Sequence, residues 1–280
     1  MIAPEQPPAP AGASHCQVTT WQQDQVVTGD DLLAQELPVA LEFNGISHAV
    51  MLATPLDLED FALGFAISEG IVDSVDEVYD LQLETRGCGV QQGMVVKLDI
   101  ASARFARLKE MRRNLTGRTG CGLCGTESLE HAVRPLPALA HTGPVHAHAI
   151  RQALAALRQQ QTLQQLTGAT HAAAWCGDDG SIRLLREDVG RHNALDKLIG
   201  AVLKSRPAVR DGFVVVTSRA SMEMVQKTVT AGFGCLVAIS APTRLAVDLA
   251  DAAGLCLIGF AKPERWVAYS QPQRILPGDN

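Results

Sequence analysis

The sequence predicts an α/β protein in which a small β-rich N-terminal lobe precedes a three-layer lobe built on a parallel sheet. Three observations lead there. Apolar runs at 213–217, 236–240 and 255–260 alternate with helical patterns bounded by Gly232 and Gly254, and β-α-β-α-β alternation builds a parallel sheet. The runs are apolar throughout, as strands covered by helices on both faces are. Upstream, short apolar stretches are set between turn residues, which favours strands over long helices.

The elements follow in chain order. Residues 1–30 carry Pro4, Pro7, Pro8 and Pro10 with little to bury and are assigned to a mobile Pro-rich tail. Residues 39–43 and 46–52 flank Asn44-Gly45, the pair suited to the positive dihedrals of a two-residue hairpin turn. Thr54-Pro55-Leu56-Asp57 reads as a helix start, with an N-cap, a first-turn proline and an acid, and Gly70 as the stop. Strands at 78–83 and 95–100 complete a β-rich lobe over 31–140, which also holds a Cys-x-x-Cys loop. An α/β lobe over 141–280 opens with a helical pattern at 147–166. Residues 172–175, a turn at Asp179-Gly180, and Ile182, Leu184 and Leu185 then form a second hairpin. The spacing of Ala194, Leu195, Leu198, Ile199, Val202 and Leu203 gives a helix ahead of the three alternating strands.

Composition narrows the function. With 280 residues and 46% hydrophobic content, the chain buries a sizeable core. A formal net charge of −6 argues against a nucleic-acid coat and confines any anion site to a local patch. No apolar run approaches the roughly 20 residues that span a bilayer, and the first residues lack the basic and apolar regions of a secretory leader. A cytoplasmic protein is expected, with no nucleic acid and no membrane span. In that reducing compartment the seven cysteines are not a disulfide framework, so a close pair points to metal binding or chemistry.

That pair is Cys121 and Cys124, in the glycine-rich Thr119-Gly120-Cys121-Gly122-Leu123-Cys124-Gly125-Thr126. Upstream, Arg104, Arg107, Lys109, Arg112, Arg113 and Arg118 are offset by Glu110 alone, and a cationic setting lowers a thiol pKa and favours the nucleophilic thiolate. Four readings compete. Structural zinc needs four ligands; a second Cys-x-x-Cys is missing, although His131, His141, His146 and His148 could contribute. A thioredoxin-like dithiol usually follows an early strand of a βαβ unit, and the glycines around this pair point to a mobile loop instead. A zinc deaminase needs a His-x-Glu or Cys-x-Glu triplet upstream and a proline before the first cysteine, where this chain has Gly120. The fourth reading is a persulfide relay, in which a thiolate accepts sulfur and the neighbouring thiol assists exchange. Spacing alone does not choose among them.

A second concentration of polar residues falls at the strand–helix junctions, where open parallel sheets bind ligands and helix N-termini attract anions. Ser218 and Arg219 follow the first strand, Ser240 and Thr243 the second, and Phe260 to Arg265 the third. His192 lies in the polar run 186–193 that opens a helix. Each has a plainer reading: Ser240 and Thr243 as helix caps, Arg219 and Arg265 as solvated charges, His192 as a turn residue. Cys176, Cys235 and Cys256 read as core, and Cys88 is assigned to packing. The recurrence at three junctions raises the edge above these alternatives.

Five blocks in series resemble a known family, the formate dehydrogenase accessory sulfurtransferases of the FdhD and NarQ type. They are 121–125 (CGLCG), 187–197 (EDVGRHNALDK), 218–223 (SRASME), 240–243 (SAPT) and Gly259-Phe260, within a resemblance spanning roughly 35–270. The resemblance implies a homodimer with a fold related to cytidine deaminases. It further implies sulfur taken from a cysteine desulfurase and passed to the molybdenum or tungsten bis-guanine-dinucleotide pterin cofactor (Mo-bis(molybdopterin guanine dinucleotide)), which formate dehydrogenase requires; GDP-like nucleotides mimic part of that cargo. By position, Cys121 is similar to the persulfide-bearing cysteine and Cys124 to its loop partner. Phe260, Ala261, Lys262, Pro263, Glu264 and Arg265 resemble the cofactor-binding segment, joined there by Ser218, Arg219, Ser240, Thr243 and His192. Lys262 stands where the family commonly has arginine, and it lacks the planar fork that grips phosphate. No bound metal of its own is expected. The alternatives are a non-catalytic chaperone that holds and inserts the same cofactor, and a zinc-stabilised interaction module.

Overall fold

The computed structural model describes residues 8–113, 136–139, 143–205 and 211–277. The first elements are a surprise. Strands β1 (Ala13–Gln22) and β2 (Gln25–Ala34) pair antiparallel and turn through Gln23 at φ 54. The sequence reading placed no element before Val39, so this hairpin corrects it. Val18, Thr19, Thr20, Trp21, Val26 and Val27 are strand formers. Most of them lie exposed, so the alternation of buried and solvent-facing positions that marks a strand in sequence is missing.

The next hairpin is the expected one. Between β3 (Leu37–Phe43) and β4 (Ile46–Ala53), Asn44 and Gly45 sit at φ 46 and φ 78, both positive as a type I′ turn demands. The Asn44 side chain also donates to the carbonyl of Ile100 (3.0 Å) and accepts from its N–H (2.7 Å). Helix α1 (Leu58–Ser68) starts later than expected, because Thr54 is engaged elsewhere; Gly70 at φ 67 closes it as foreseen. With β5 (Val78–Arg86) and β6 (Gly93–Ile100), the lobe forms a sheet of order β4-β3-β6-β5, and helix α2 (Ser102–Arg113) follows.

The larger lobe opens with β7 (Val145–His146), α3 (Ala147–Gln160) and α4 (Thr162–Thr167), so the expected helix over 147–166 breaks at Gln161. Then come β8 (His171–Cys176), β9 (Ile182–Asp188), α5 (Arg191–Lys204), β10 (Phe213–Val216), α6 (Met222–Thr230), β11 (Cys235–Ala238), α7 (Arg244–Ala253), β12 (Cys256–Lys262), β13 (Arg265–Ser270) and β14 (Ile275–Leu276). The sheet order is β13-β12-β11-β10-β8-β9. Only β10, β11 and β12 run parallel; β8 is antiparallel to β9 and β10, and β13 to β12. The sheet is therefore mixed, a correction to the parallel-sheet expectation. Its edges are hairpins, which need only a tight turn, whereas each parallel connection needs a crossover helix.

Alternate strand residues feed two cores. Trp175, Val214, Val216, Leu236 and Leu257 face the layer that contains α1, α5, α6 and α7. Cys176, Phe213, Val215, Val237 and Ile258 face Ile150, Leu154 and Leu157 of α3. The first core also takes in Val39, Phe43, Phe61 and Leu98, so the two lobes share it. Helices α1 and α5 cross in backbone contact: a Cβ on Gly64 would lie 1.7 Å from the Asp196 carbonyl oxygen, and one on Gly200 1.9 Å from that of Asp60.

Candidate functional site

The polar run that opens α5 divides into two jobs. Asp188 and Lys197 are fully buried and paired at 2.7 Å between Oδ2 and Nζ. Lys197 Nζ also donates to the Thr54 carbonyl (2.9 Å), and the Thr54 N–H donates to Asp188 Oδ2 (3.0 Å). Asp188 Oδ1 accepts from the Gly190 N–H (2.8 Å) and from Asn193 Nδ2 (2.9 Å), and Asn193 donates to the Leu52 carbonyl (2.8 Å). Thr54, expected to cap α1, is thus tied to the other lobe. Asp196 accepts from Ser68 Oγ (2.7 Å) and from Lys227 Nζ (2.9 Å), which also reaches Glu69 at 3.0 Å. Burial lowers the Lys227 pKa, but Asp196 and Glu69 outweigh it and keep the ammonium charged. Most of this segment therefore locks the lobes together, and Arg191 and His192 are left to face the sheet edge.

That edge forms where β10, β11 and β12 end. The loops after β10 and β11 are stitched together, with Ala220 N–H donating to Ala241 (3.2 Å) and Thr243 N–H to Ala220 (3.0 Å). Ser218 Oγ donates to the Arg219 carbonyl (3.0 Å), while the Arg219 side chain is exposed. Thr243 caps α7 by accepting from the Ala246 N–H. Phe260 N–H donates to the Ser240 carbonyl (3.1 Å); its backbone is at φ 50 and its side chain is 47% exposed. The expectation of a third strand–helix junction here is corrected: β12 runs to Lys262, Pro263-Glu264 makes a turn, and Arg265 pairs with Lys262 at the start of β13. Short strands joined by two residues leave no room for a helix. Lys262, Glu264 and Arg265 are exposed at the hairpin tip, whereas Ala261 is buried in the α3-side core.

The second half of the edge is where α5 and α6 begin. Neither N-cap residue, Gly190 or Ser221, caps its helix with a side-chain hydrogen bond, so both ends keep positive character. They touch: His192 Nε2 lies 3.9 Å from Glu223 Oε2. His171 Nδ1, on β8, sits 3.4 Å from Oγ1 of Thr217, the residue after β10. Burial, then the charges of Arg191 and Lys227, push the His192 pKa down to about 4. Burial also lowers that of His171, again with Arg191. Burial pushes the Glu223 carboxyl up, but the Ser221 hydroxyl, its own backbone N–H, His192 and Arg191 hold it below its ordinary value. This half of the edge thus carries neutral imidazoles beside the Arg191 guanidinium and the Glu223 carboxylate.

A pH effect follows. An unfolded histidine near 6.5 binds a proton that folded His192 refuses, so stability is whole above about pH 6.5 and is lost as pH falls toward 4. Glu223 joins only below its ordinary 4.5. Denaturation midpoints between these limits should fall with acid, by at most about 1.4 kcal/mol per pH unit from this group. His192→Gln should flatten the slope, leaving the smaller share of His171; an unchanged slope would rule His192 out as its source.

Cys121 and Cys124 lie outside the described residues, as do Arg118, His131 and His141. Of the cations expected to serve the thiols, Arg104 is already held by Glu77 at 3.0 Å and by Asp73, and Lys109 Nζ stands 4.2 Å over the Phe105 ring. Cys176, Cys235 and Cys256 are buried core residues, and burial pushes the Cys176 thiol up to about 12. Cys88, assigned to packing, is exposed in the loop beyond β5, where no layer covers it. A surface cavity of ≈ 410 Å³ between α7 and β13 has its charges occupied, Arg244 by Asp248 (2.9 Å) and Asp251 by Gln271 (3.1 Å).

Sequence reasoning picked out His192 but gave no role to Arg191, His171, Ser221 or Glu223. Arg191, Ser221 and Glu223 stand inside the quoted blocks, in or beside the first turns of predicted helices, and that position was the signal. A mixed sheet with helices packed on it and polar loops at the carboxyl ends of its parallel strands defines the class, an α/β protein of two interlocked lobes. The chain belongs to the FdhD/NarQ family, whose model matches residues 34–276. It is 52% identical to the sulfur carrier protein FdhD of Cupriavidus necator over 98% of this chain and 96% of that one. It is 53% identical to the protein of the same name from Variovorax paradoxus over 90% and 89%. A crystal structure from Desulfotalea psychrophila, described as that of a formate dehydrogenase accessory protein, shares the fold with a TM-score of 0.75 at 22% identity, covering 95% of this chain and 100% of that one. Among the described residues no helix is long and apolar enough to cross a membrane.

Proposed function

We propose that this chain is a sulfur carrier for the maturation of formate dehydrogenase. Cys121 attacks the outer sulfur of a cysteine desulfurase persulfide, the S–S bond there breaks, the desulfurase cysteine leaves as thiolate, and Cys121 holds the sulfur as a persulfide, with Cys124 assisting exchange. The acceptor is the bis-guanine-dinucleotide pterin cofactor of molybdenum or tungsten, bound as cargo at the sheet edge by a homodimer. The observation that carries this reading is identity above half with proteins named sulfur carriers over nearly the whole chain. The geometry supports it: uncapped helix N-termini and the exposed Lys262 and Arg265 suit an anionic, phosphate-bearing cargo. The three parallel strands beside an antiparallel hairpin support kinship with the cytidine deaminase fold.

The test is sulfur loading followed by peptide mapping. After treatment with a desulfurase and cysteine, the peptide spanning 121–124 should gain the mass of one sulfur atom; a label found only on Cys88 would sink the assignment. Cys121→Ala should fold, bind GDP and leave formate dehydrogenase inactive. Wild-type client activity with that variant would instead favour a chaperone that only holds and inserts the cofactor.

A further inference from the structure

The β1–β2 ribbon is the part of the fold that the two lobes leave uncovered. Its base is held: Ala13 is buried, the Gln35 N–H donates to the Gly12 carbonyl (2.7 Å), and β2 runs beside α4. Beyond the base every residue from 19 to 31 is exposed, although the pairs from Ala13 with Ala34 to Gln22 with Gln25 keep register throughout. A two-stranded ribbon with no layer against it is at best marginally stable in water. Its tip is also apolar on both faces. Trp21, 75% exposed, stands opposite Val26 on one face, and the exposed Val27, next along the strand, points to the other.

Charge narrows what covers it. Residues 1–85 contain 15 Asp or Glu and not one Lys or Arg, so all 24 Lys and Arg stand in residues 86–280, against the other 15 acids. The ribbon shares the acidic bias, with Asp24, Asp30 and Asp31 and no Lys or Arg. It suits a basic surface, and the remainder of this same chain supplies one. Helix α3 has no acid, and Arg151 and Arg158, two turns apart, are both exposed. It leads directly into α4, the helix that β2 touches, so the acidic ribbon and the basic helix lie on one side of the molecule. We propose that the ribbon exchanges between two copies of this chain, the acidic, apolar-tipped arm of each lying across the basic face of α3 in the other. This deepens the homodimer of the proposed function and rests on it. A two-fold contact uses the same patch on both copies and must be self-complementary. An acidic arm beside a basic helix meets that demand, since each copy supplies one surface of each sign, and Trp21 is the kind of aromatic anchor that carries such an interface.

Sedimentation equilibrium on the full chain measures the dimer, and thermal melts confirm that the variants fold, since every residue changed is exposed. The wild type should be a dimer that weakens as sodium chloride rises and screens the opposite charges. Trp21→Ser should raise the dimer dissociation constant at least about 10-fold, the loss of a buried aromatic anchor. Arg151→Glu with Arg158→Glu should raise it as well by setting acid against acid, and adding Asp24→Arg and Asp31→Arg should recover part of the affinity. Unchanged dimer affinity in Trp21→Ser, or in the double glutamate variant, overturns the exchange and leaves a homodimer built on another surface. A monomeric wild type overturns the exchange and the homodimer together. Sulfur loading of the 121–124 peptide tests the carrier reading separately and should persist in Trp21→Ser. Its loss there with dimer affinity unchanged would overturn the exchange by giving the ribbon to the desulfurase.

Discussion

Lys197→Met is expected to destabilise the protein by about 3–5 kcal/mol, the range for removing one partner of a buried ion pair. Its Nζ sits 2.7 Å from Asp188 in a fully buried site. Burial lowers its pKa while Asp188 opposes that shift. Without the ammonium, Asp188 keeps three N–H donors from Thr54, Gly190 and Asn193, yet it has no countercharge, and the Thr54 carbonyl keeps only the Leu56 N–H of its two donors. Methionine fills similar volume, so the loss is electrostatic and not a cavity effect. Asp188→Asn on the same background should recover part of the stability, since a neutral amide can keep one acceptor for the N–H groups. Urea denaturation near pH 7 measures both. A Lys197→Met protein within about 1 kcal/mol of wild type would mean the pair is solvated, and the lock between Thr54 and the α5 entrance would fall with it.

The elements read best from sequence were those in which local chemistry and tertiary fold ask for the same thing. Asn44-Gly45 gives its turn because the backbone needs positive φ at both positions, and the three parallel strands emerge because both of their faces are buried. The β1–β2 hairpin was hidden because its apolar residues, Trp21 among them, face solvent. The site divides along the same line. Ser240 and Lys262 were legible as polar residues at the ends of apolar strands. The separation of Asp188, Asn193, Asp196 and Lys197 from Arg191 and His192 was not, because all six are polar residues at a helix start. Only the packing of α1 on α5 turns the first four inward. Thr54 misled for a related reason: a threonine before a proline looks like a cap until a buried carboxylate from the other lobe claims its N–H.

Gly200→Ala is the sharpest check of that packing, because helix propensity and tertiary structure predict opposite signs. In an isolated helix the change stabilises by about 1 kcal/mol. Here the new methyl group would lie 1.9 Å from the Asp60 carbonyl oxygen and 2.7 Å from its carbon. The obstacle is backbone, which cannot swing aside as a side chain does, so α1 and α5 must separate. Separation stretches the bond that crosses between them from Ser68 to Asp196 (2.7 Å) and strains the bond from Lys197 to Thr54 (2.9 Å) just ahead of α1. The expected loss is therefore at least about 3 kcal/mol, at or beyond the upper end of ordinary overpacking. Two controls bracket it. Gly29→Ala meets nothing within 4 Å at ordinary dihedrals and should be neutral; Gly70→Ala also meets nothing, and only its φ of +67 is strained, at roughly 1–2 kcal/mol. Denaturation midpoints of the three variants should rank Gly29, Gly70, Gly200 in order of increasing loss, and a Gly200→Ala protein as stable as the Gly29 control would show that the two helices do not meet in backbone contact.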